Sequence, residues 1–212
     1  SRSDLPQFDF IALHGLWSWI SEQNRRHIID FVHRRLNFGG VLYVSYNTLP
    51  GWSFFEPLRA LLKEYHRTYG FAGEGVTTTL KRGLEYSQRV VGLAKNIQLV
   101  APLLKSRIQE LAAADADYAV HEFLNDHFYP SYFSEISDYL SEAKLQFACS
   151  ANPIDFLESL NFDPEQRMLL GEISEKSHRE QIADYLTCQN FRRDYWVKGL
   201  RRLSKDEHDR VL

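Results

Sequence analysis

The chain has 212 residues, 44% of them hydrophobic, and a formal net charge of -3 from 25 basic and 28 acidic side chains. That length can bury a core as one domain or two. The charges are interspersed, which gives no basic footprint for nucleic acid or an anionic membrane, and no apolar run approaches the roughly 20 residues of a membrane span. Cys149 and Cys188 have no metal-ligand spacing and read as free reduced thiols. The amino-terminal SRSDLPQ has no signal-peptide character, so a cytoplasmic location is the expectation.

In chain order, Phe8 to Leu13 (FDFIAL) is a short apolar run that reads as a strand ending at His14-Gly15. Ser21 is an N-cap followed by Glu22 in the first turn, and Ile28, Ile29, Val32 and Leu36 recur at helical spacing. The pair Gly39-Gly40 should end that helix before a second strand, Val41 to Val44. Its continuous apolar run points to a parallel sheet covered on both faces. Strand, helix and strand in this order make a βαβ crossover. Ligands of such sheets sit beyond the strand carboxyl ends, which is where Ser45, Tyr46 and Asn47 would emerge. The competing reading of SYNTLPGW is a turn with a packed Trp52.

From Ser53 to Ala116 the pattern turns helical throughout. Ser53 and Glu56 read as a capping box, and Leu58, Leu61, Leu62, Tyr65 and Tyr69 line one face. Leu80, Leu84, Val91 and Ala94 continue the period, with Gly70, Gly73, Gly75, Gly83 and Gly92 as places to bend. A further helix follows Pro102. The aromatic segment from Tyr118 to Tyr129 leads to a helix through Ile136 and Leu140, then a strand candidate, LQFACS, at Leu145 to Ser150. Asn152-Pro153 and Asp163-Pro164 each place a cap before a helical Pro, with Gln166 completing a box with Asp163. FRRDYWVK, Phe191 to Lys198, alternates Phe191, Arg193, Tyr195 and Val197 against polar residues and Trp196 and reads as a half-exposed strand, with Arg192, Arg193 and Asp194 as surface charge and strand-face polar residues. The chain begins at Ser1 with Met168 as its only methionine, and a capping box at Ser204 and Glu207 opens a helix near its end. It is expected to be part of a longer or processed polypeptide.

FDFIALHGLWSWIS followed by LNFGGVLYVSYNTLPGW resembles the second half of the Rossmann-like core of class I S-adenosylmethionine-dependent methyltransferases. More narrowly, the chain is similar to the bacterial family whose downstream part is called the methyltransferase regulatory domain. HEFLNDHFYPSYFSEI from His121, LQFACSANP and FRRDYWVKG carry the later part of the likeness. The resemblance implies an α/β fold: a partial Rossmann-like methyltransferase sheet with a predominantly helical insertion. FDFIAL and VLYVSYN would be its fourth and fifth strands, and LQFACS and FRRDYWVK its last two, one of them antiparallel. The expected organisation is residues 1–52 as the second half of the core, 53–116 as a lid or regulatory insertion on the ligand side, 117–200 as the remaining core, and 201–212 as the start of a helix.

The methyl donor of that family needs a glycine-rich turn after the first strand and an acidic residue ending the second, and residues 1–52 supply neither. S-adenosylmethionine is therefore expected only with an upstream amino-terminal half, from the same polypeptide or a partner chain. Within this chain, His14 and Asn47 are the candidates for catalysis. His14, Gly15, Trp17 and Trp19 would face the cofactor, since aromatic faces suit a cationic group. Tyr46, Asn47, Trp52, His121, Asn125 and Tyr129 would line the acceptor side. Trp17 and Trp19 can equally be core packing and His14 a hydrogen-bonded loop residue. Metal has no support in the spacing. A protein substrate and a homo-oligomer are compatible with the sequence, and the methyl acceptor is open. The alternative is a non-catalytic regulatory or interaction module that lacks cofactor binding.

Overall fold

A computed structural model describes residues 5–71, 73–95 and 100–199. In chain order the elements are β1 (Phe8–Leu13), α1 (Glu22–Arg35), β2 (Leu36–Asn47), α2 (Glu56–Tyr69), α3 (Val76–Leu93), α4 (Ala101–Ala113), α5 (Ala116–Leu124), α6 (Phe133–Glu142), β3 (Leu145–Ser150), α7 (Glu158–Asn161), α8 (Pro164–Glu172), α9 (Lys176–Thr187) and β4 (Phe191–Lys198). Short 3-10 turns span Trp17–Trp19, Gly51–Phe54 and Pro153–Phe156. The capping box at Ser204 lies outside the described residues. The chain divides into two compact units, one formed by Ser1–Leu49 with Tyr129–Leu212, the other by Pro50–Phe128. The helical unit therefore begins earlier and ends later than the expected 53–116, because α5 packs with α2 and α3.

The first unit is a sheet of order β1-β2-β4-β3. β1 and β2 are parallel, and β4 runs antiparallel to both β2 and β3. α1 forms as its signals demand. The Ser21 hydroxyl accepts from Asn24 N–H at 3.3 Å, Glu22 sits at the positive end of the helix, and His33, Arg34 and Arg35 sit at the negative end. The helix passes into β2 without a loop, which the Gly-Gly pair had concealed. Between the pairs Phe8–Leu36 and Phe10–Val41 the register shifts, and Gly39 (φ +80) and Gly40 lie in that irregular stretch. A Cβ at Gly40 would meet Asn37 O and Leu36 Cδ1, both at 2.9 Å, so the bulge needs glycine there.

One sheet face carries Leu42, Val44, Tyr46 and Trp196 and packs against Ile29 and Val32 of α1 and Phe133, Ile136 and Leu140 of α6. Phe133 stacks on Trp196 with ring centroids 5.6 Å apart. The opposite face departs from the expectation of a sheet covered on both sides. Tyr43 and Tyr195 are half-buried and pair with each other at 5.7 Å, while Phe10 is 55% exposed. β4 is also phased opposite to the sequence reading. Arg192, Asp194 and Trp196 are its buried face, and Arg193 is the exposed member.

The second unit buries Trp52, Leu58, Leu62, Leu80, Leu84, Ile108, Leu111 and Phe123 among its four helices, α2 to α5. Trp52 packs edge-on to Phe128 at 4.5 Å. Ser53 does not cap α2. It lies in the preceding 3-10 turn with its hydroxyl donating to Pro50 O, and Phe55 takes the cap position. Gly83 does not bend α3, which runs unbroken through it. It is small because a Cβ there would lie 3.2 Å from Leu62 Cδ2 and from Tyr65 Cδ1.

Candidate functional site

The carboxyl ends of the parallel strands β1 and β2 lie side by side, and the chain leaving each is tied to the other. Gly15, after β1, takes a left-handed φ of +61, and its N–H donates to Ser45 Oγ of β2 at 2.7 Å. His14 is exposed. Its Nδ1 lies 3.1 Å from the Tyr43 hydroxyl and its ring stacks on Tyr43, on the half-open sheet face.

Beyond Gly15 the 3-10 turn places Ser18 under the end of β2. Asn47 N–H donates to Ser18 Oγ at 2.8 Å. Asn47 O accepts from Ser131 N–H at 3.1 Å, and Ser18 O accepts from Tyr129 N–H at 2.9 Å. The Thr48 hydroxyl donates to Ser131 O at 2.7 Å. Three stretches of chain that are distant in sequence thus converge on Asn47. Arg25 holds them from below, donating through Nε to Trp17 O at 3.3 Å, with its guanidinium 4.7 Å from the centre of the Tyr129 ring. Trp17 is 1% exposed and sits edge-on to Tyr139 in the core, so its ring faces protein on all sides. Trp19 is half-buried beside it.

Of the residues singled out from the sequence, His14, Gly15, Trp17, Trp19, Tyr46, Asn47 and Tyr129 fall in the sheet unit, whereas Trp52, His121 and Asn125 fall in the helical unit. In the helical unit Trp52 is buried, His121 is exposed, and Asn125 O accepts from the Arg59 guanidinium. Ser18 and Arg25 escaped the sequence reading because their roles depend on strand neighbours, and Ser45, expected to emerge beside Tyr46 and Asn47, accepts from Gly15 N–H instead.

The larger omission is a buried charge network. Tyr46 is not an open pocket wall: its hydroxyl donates to Asp194 Oδ2 at 2.7 Å, and the residue is buried. Arg192 joins Asp194 (Nε to Oδ2, 3.0 Å), Asp184 of α9 (Nη1 to Oδ1, 2.7 Å) and Glu180 (Nη2 to Oε2, 2.9 Å). Reading Arg192 and Asp194 as surface charge is overturned by register, because Tyr46 pairs with Arg192 and Val44 with Asp194 on the face that packs inward. Burial pushes the Asp184 carboxyl up to about 7 despite Arg192, and raises Asp194 as well. It pushes the Tyr46 phenol well above its ordinary value, with Asp194 adding to the shift. Burial opposes the Arg192 charge, yet Asp194 and its neighbours hold that guanidinium well above its ordinary value. One buried cation among three carboxylates rigidifies the join of β2, β4 and α9 directly behind Asn47.

Comparison with known proteins decides the relationship of the downstream part. Residues 115–198 match the family model of the predicted methyltransferase regulatory domain. The chain is 35% identical over 211 residues to the uncharacterized protein sll1526 of Synechocystis sp., covering all of this chain and 41% of that protein. It is 26% identical over 192 residues to the uncharacterized protein RP789 of Rickettsia prowazekii, covering 88% of this chain and 33% of that one. The chain thus spans less than half the length of these relatives. In fold it superimposes on PKMT2 from Rickettsia typhi with a TM-score of 0.74 at 22% identity, covering 96% of this chain and 38% of that one. The structure of the same protein in complex with AdoHcy matches equally well, with a TM-score of 0.74 at 21% identity. The methyltransferase-like α/β fold expected from the resemblance is the fold observed. No helix among the described residues is long and apolar enough to cross a membrane.

Proposed function

We propose that this chain is the carboxyl-side part of an S-adenosylmethionine-dependent methyltransferase: the second half of its sheet together with its regulatory and helical parts. The observation that carries the reading is the sheet order β1-β2-β4-β3 with β4 alone reversed, the arrangement expected of the last four strands of such a core. The match to a solved fold whose AdoHcy complex is known supports it. An upstream half of the polypeptide, or a partner chain, would pair with the free edge of β1 and cover the face bearing Phe10, Tyr43 and Tyr195.

The residues present fit one wall of a cofactor site and not the whole of it. Gly15 spends its N–H on Ser45, and Trp17 is enclosed in the core. His14 is exposed on this side and is the side chain proposed to face a ligand. S-adenosylmethionine, when bound with the upstream half, supplies an activated methyl group. The contribution of this chain is then positional. The Ser18, Ser131 and Thr48 bonds fix the end of β2, and on this proposal Asn47 orients the acceptor while His14 takes the proton that it loses.

A second reading is a non-catalytic regulatory module, and the description of the family model over residues 115–198 favours it for that part. The coding region upstream separates the two. A strand, a glycine-rich turn and an acidic strand end there, with transfer of labelled methyl by the longer protein, support the enzyme. Their absence, with no transfer, supports the module.

A further inference from the structure

A cleft in the sheet unit is lined by Ser150, Asp155, Glu158, Asn161, Asp184 and Arg192, among others. Its charges do not balance. Arg192 serves Asp184, Asp194 and Glu180, while Arg179 serves Glu158 at 2.6 Å and reaches Glu180 at 3.8 Å. Among the described residues Asp155 is hydrogen-bonded to neutral groups, Ser150 Oγ at 2.5 Å and Asn152 Nδ2 at 2.8 Å. In the lining two guanidiniums therefore face four carboxylates, Asp155, Glu158, Glu180 and Asp184, while Arg192 also serves Asp194 outside it.

The imbalance has a locus. Asp184 is 2% exposed, and only its Oδ1 is engaged; Oδ2 is buried without a hydrogen-bond partner among the described residues. A buried carboxylate oxygen left bare keeps its desolvation cost uncompensated, and an N–H donor removes that cost. Outside the lining but next to Asp155 and Glu158 in sequence, Ile154, Phe156, Leu157 and Leu160 are 58%, 58%, 50% and 73% exposed, and Phe162 and Ala183 are the apolar residues of the lining itself. Carboxylates alternating with bare apolar side chains match a ligand that has a cationic head and an aliphatic stem.

We propose that this cleft binds an N–H-bearing organic cation, an ammonium or guanidinium group, whose N–H is accepted by Asp184 Oδ2 and whose stem lies on the apolar residues around Asp155. Arg179 and Glu180, part-exposed in the same lining, are the side chains that yield to it. The cation comes either from a free small amine or from a side chain of a polypeptide, and the two sources share this chemistry.

The test titrates the full 212-residue chain with propylammonium and propylguanidinium, followed by backbone amide shifts in NMR. Propyltrimethylammonium, which has the charge but no N–H, is the control. Saturable shifts confined to residues 150–192, at least tenfold weaker for the control and for Asp184→Asn, are expected. Binding of the control as tight as that of propylammonium, shifts spread over the surface, or no saturation would overturn the proposal. The control decides the matter even if Asp184→Asn fails to fold. A parallel arm uses acetyl-Leu-Arg-Leu-amide. Tighter binding than propylguanidinium supports the site with a polypeptide side chain as its ligand; equal binding supports it with a free amine.

Discussion

Replacing Asp184 with Asn should stabilise the protein at alkaline pH, although it removes a partner from the Arg192 ion pair. Asp184 has an ordinary carboxyl value of 3.8 and is pushed up to about 7 in the fold, with burial as the main cause. A group whose folded value is raised holds its proton more tightly in the native state. Its favourable contribution is complete below the unfolded value and is lost as pH rises through the folded one. Three units correspond to about 4 kcal/mol at 1.36 kcal/mol per unit. Unfolding free energy should therefore fall by up to that amount between about pH 4 and pH 8 on account of this group alone. Asn mimics the protonated carboxyl and still offers Arg192 an oxygen, while Asp194 and Glu180 keep that guanidinium paired. Wild type and Asp184→Asn should then be similar near pH 5, and the variant should be more stable at pH 8 by about 2 to 4 kcal/mol. Urea unfolding at half-unit pH steps reads the difference directly, and the other charged and polar groups facing the site (Asp194, Glu180, Tyr46, Arg179 and Arg192) are common to both proteins. A difference that does not change with pH, or a variant that loses ground as pH rises, would refute the reasoning.

Tyr46→Phe removes the hydroxyl that donates to buried Asp194 and should cost about 1 to 3 kcal/mol in the same assay; a change within error would show that Arg192 alone satisfies that carboxylate. Gly83→Val sets branched atoms where a single Cβ would already lie 3.2 Å from Leu62 and Tyr65, and should destabilise by about 1 to 3 kcal/mol in thermal unfolding. Asn47→Ala keeps the bonds to Ser18 and Ser131, because the Asn47 backbone makes them. In a protein carrying the upstream half it should lower turnover far more than melting temperature, and an equal loss of both would make Asn47 a structural residue.

Much of the sheet was legible because short apolar runs such as FDFIAL and VLYV have few other ways to be buried. The Asp163–Gln166 capping box was legible too, since its hydrogen bonds close within one turn: Gln166 N–H to Asp163 Oδ1 at 2.8 Å and Asp163 N–H to Gln166 Oε1 at 2.9 Å. Gly39-Gly40 misled because a glycine pair marks a bulge as readily as a break, and only the register with β1 distinguishes them. β4 misled because alternation reveals two faces without saying which is inside. Its polar members, Arg192 and Asp194, are buried only because Asp184, Glu180 and Tyr46 arrive from elsewhere to meet them. The same limit applies at the ends of β1 and β2. His14 and Asn47 stand out by residue type and place, whereas Ser18, Ser45 and Arg25 acquire their roles through partners that the linear pattern does not announce.

Under the proposed function this chain holds one side of a methyl-donor site and needs an upstream half for the other. Isothermal titration of S-adenosylmethionine into the 212-residue chain, and into a protein extended through the upstream coding region, tests it most directly. The account predicts no measurable heat of binding for the chain alone and saturable binding, with a Kd on the order of micromolar, for the extended protein. Micromolar binding by the chain alone, or no binding by the extended protein, would contradict it.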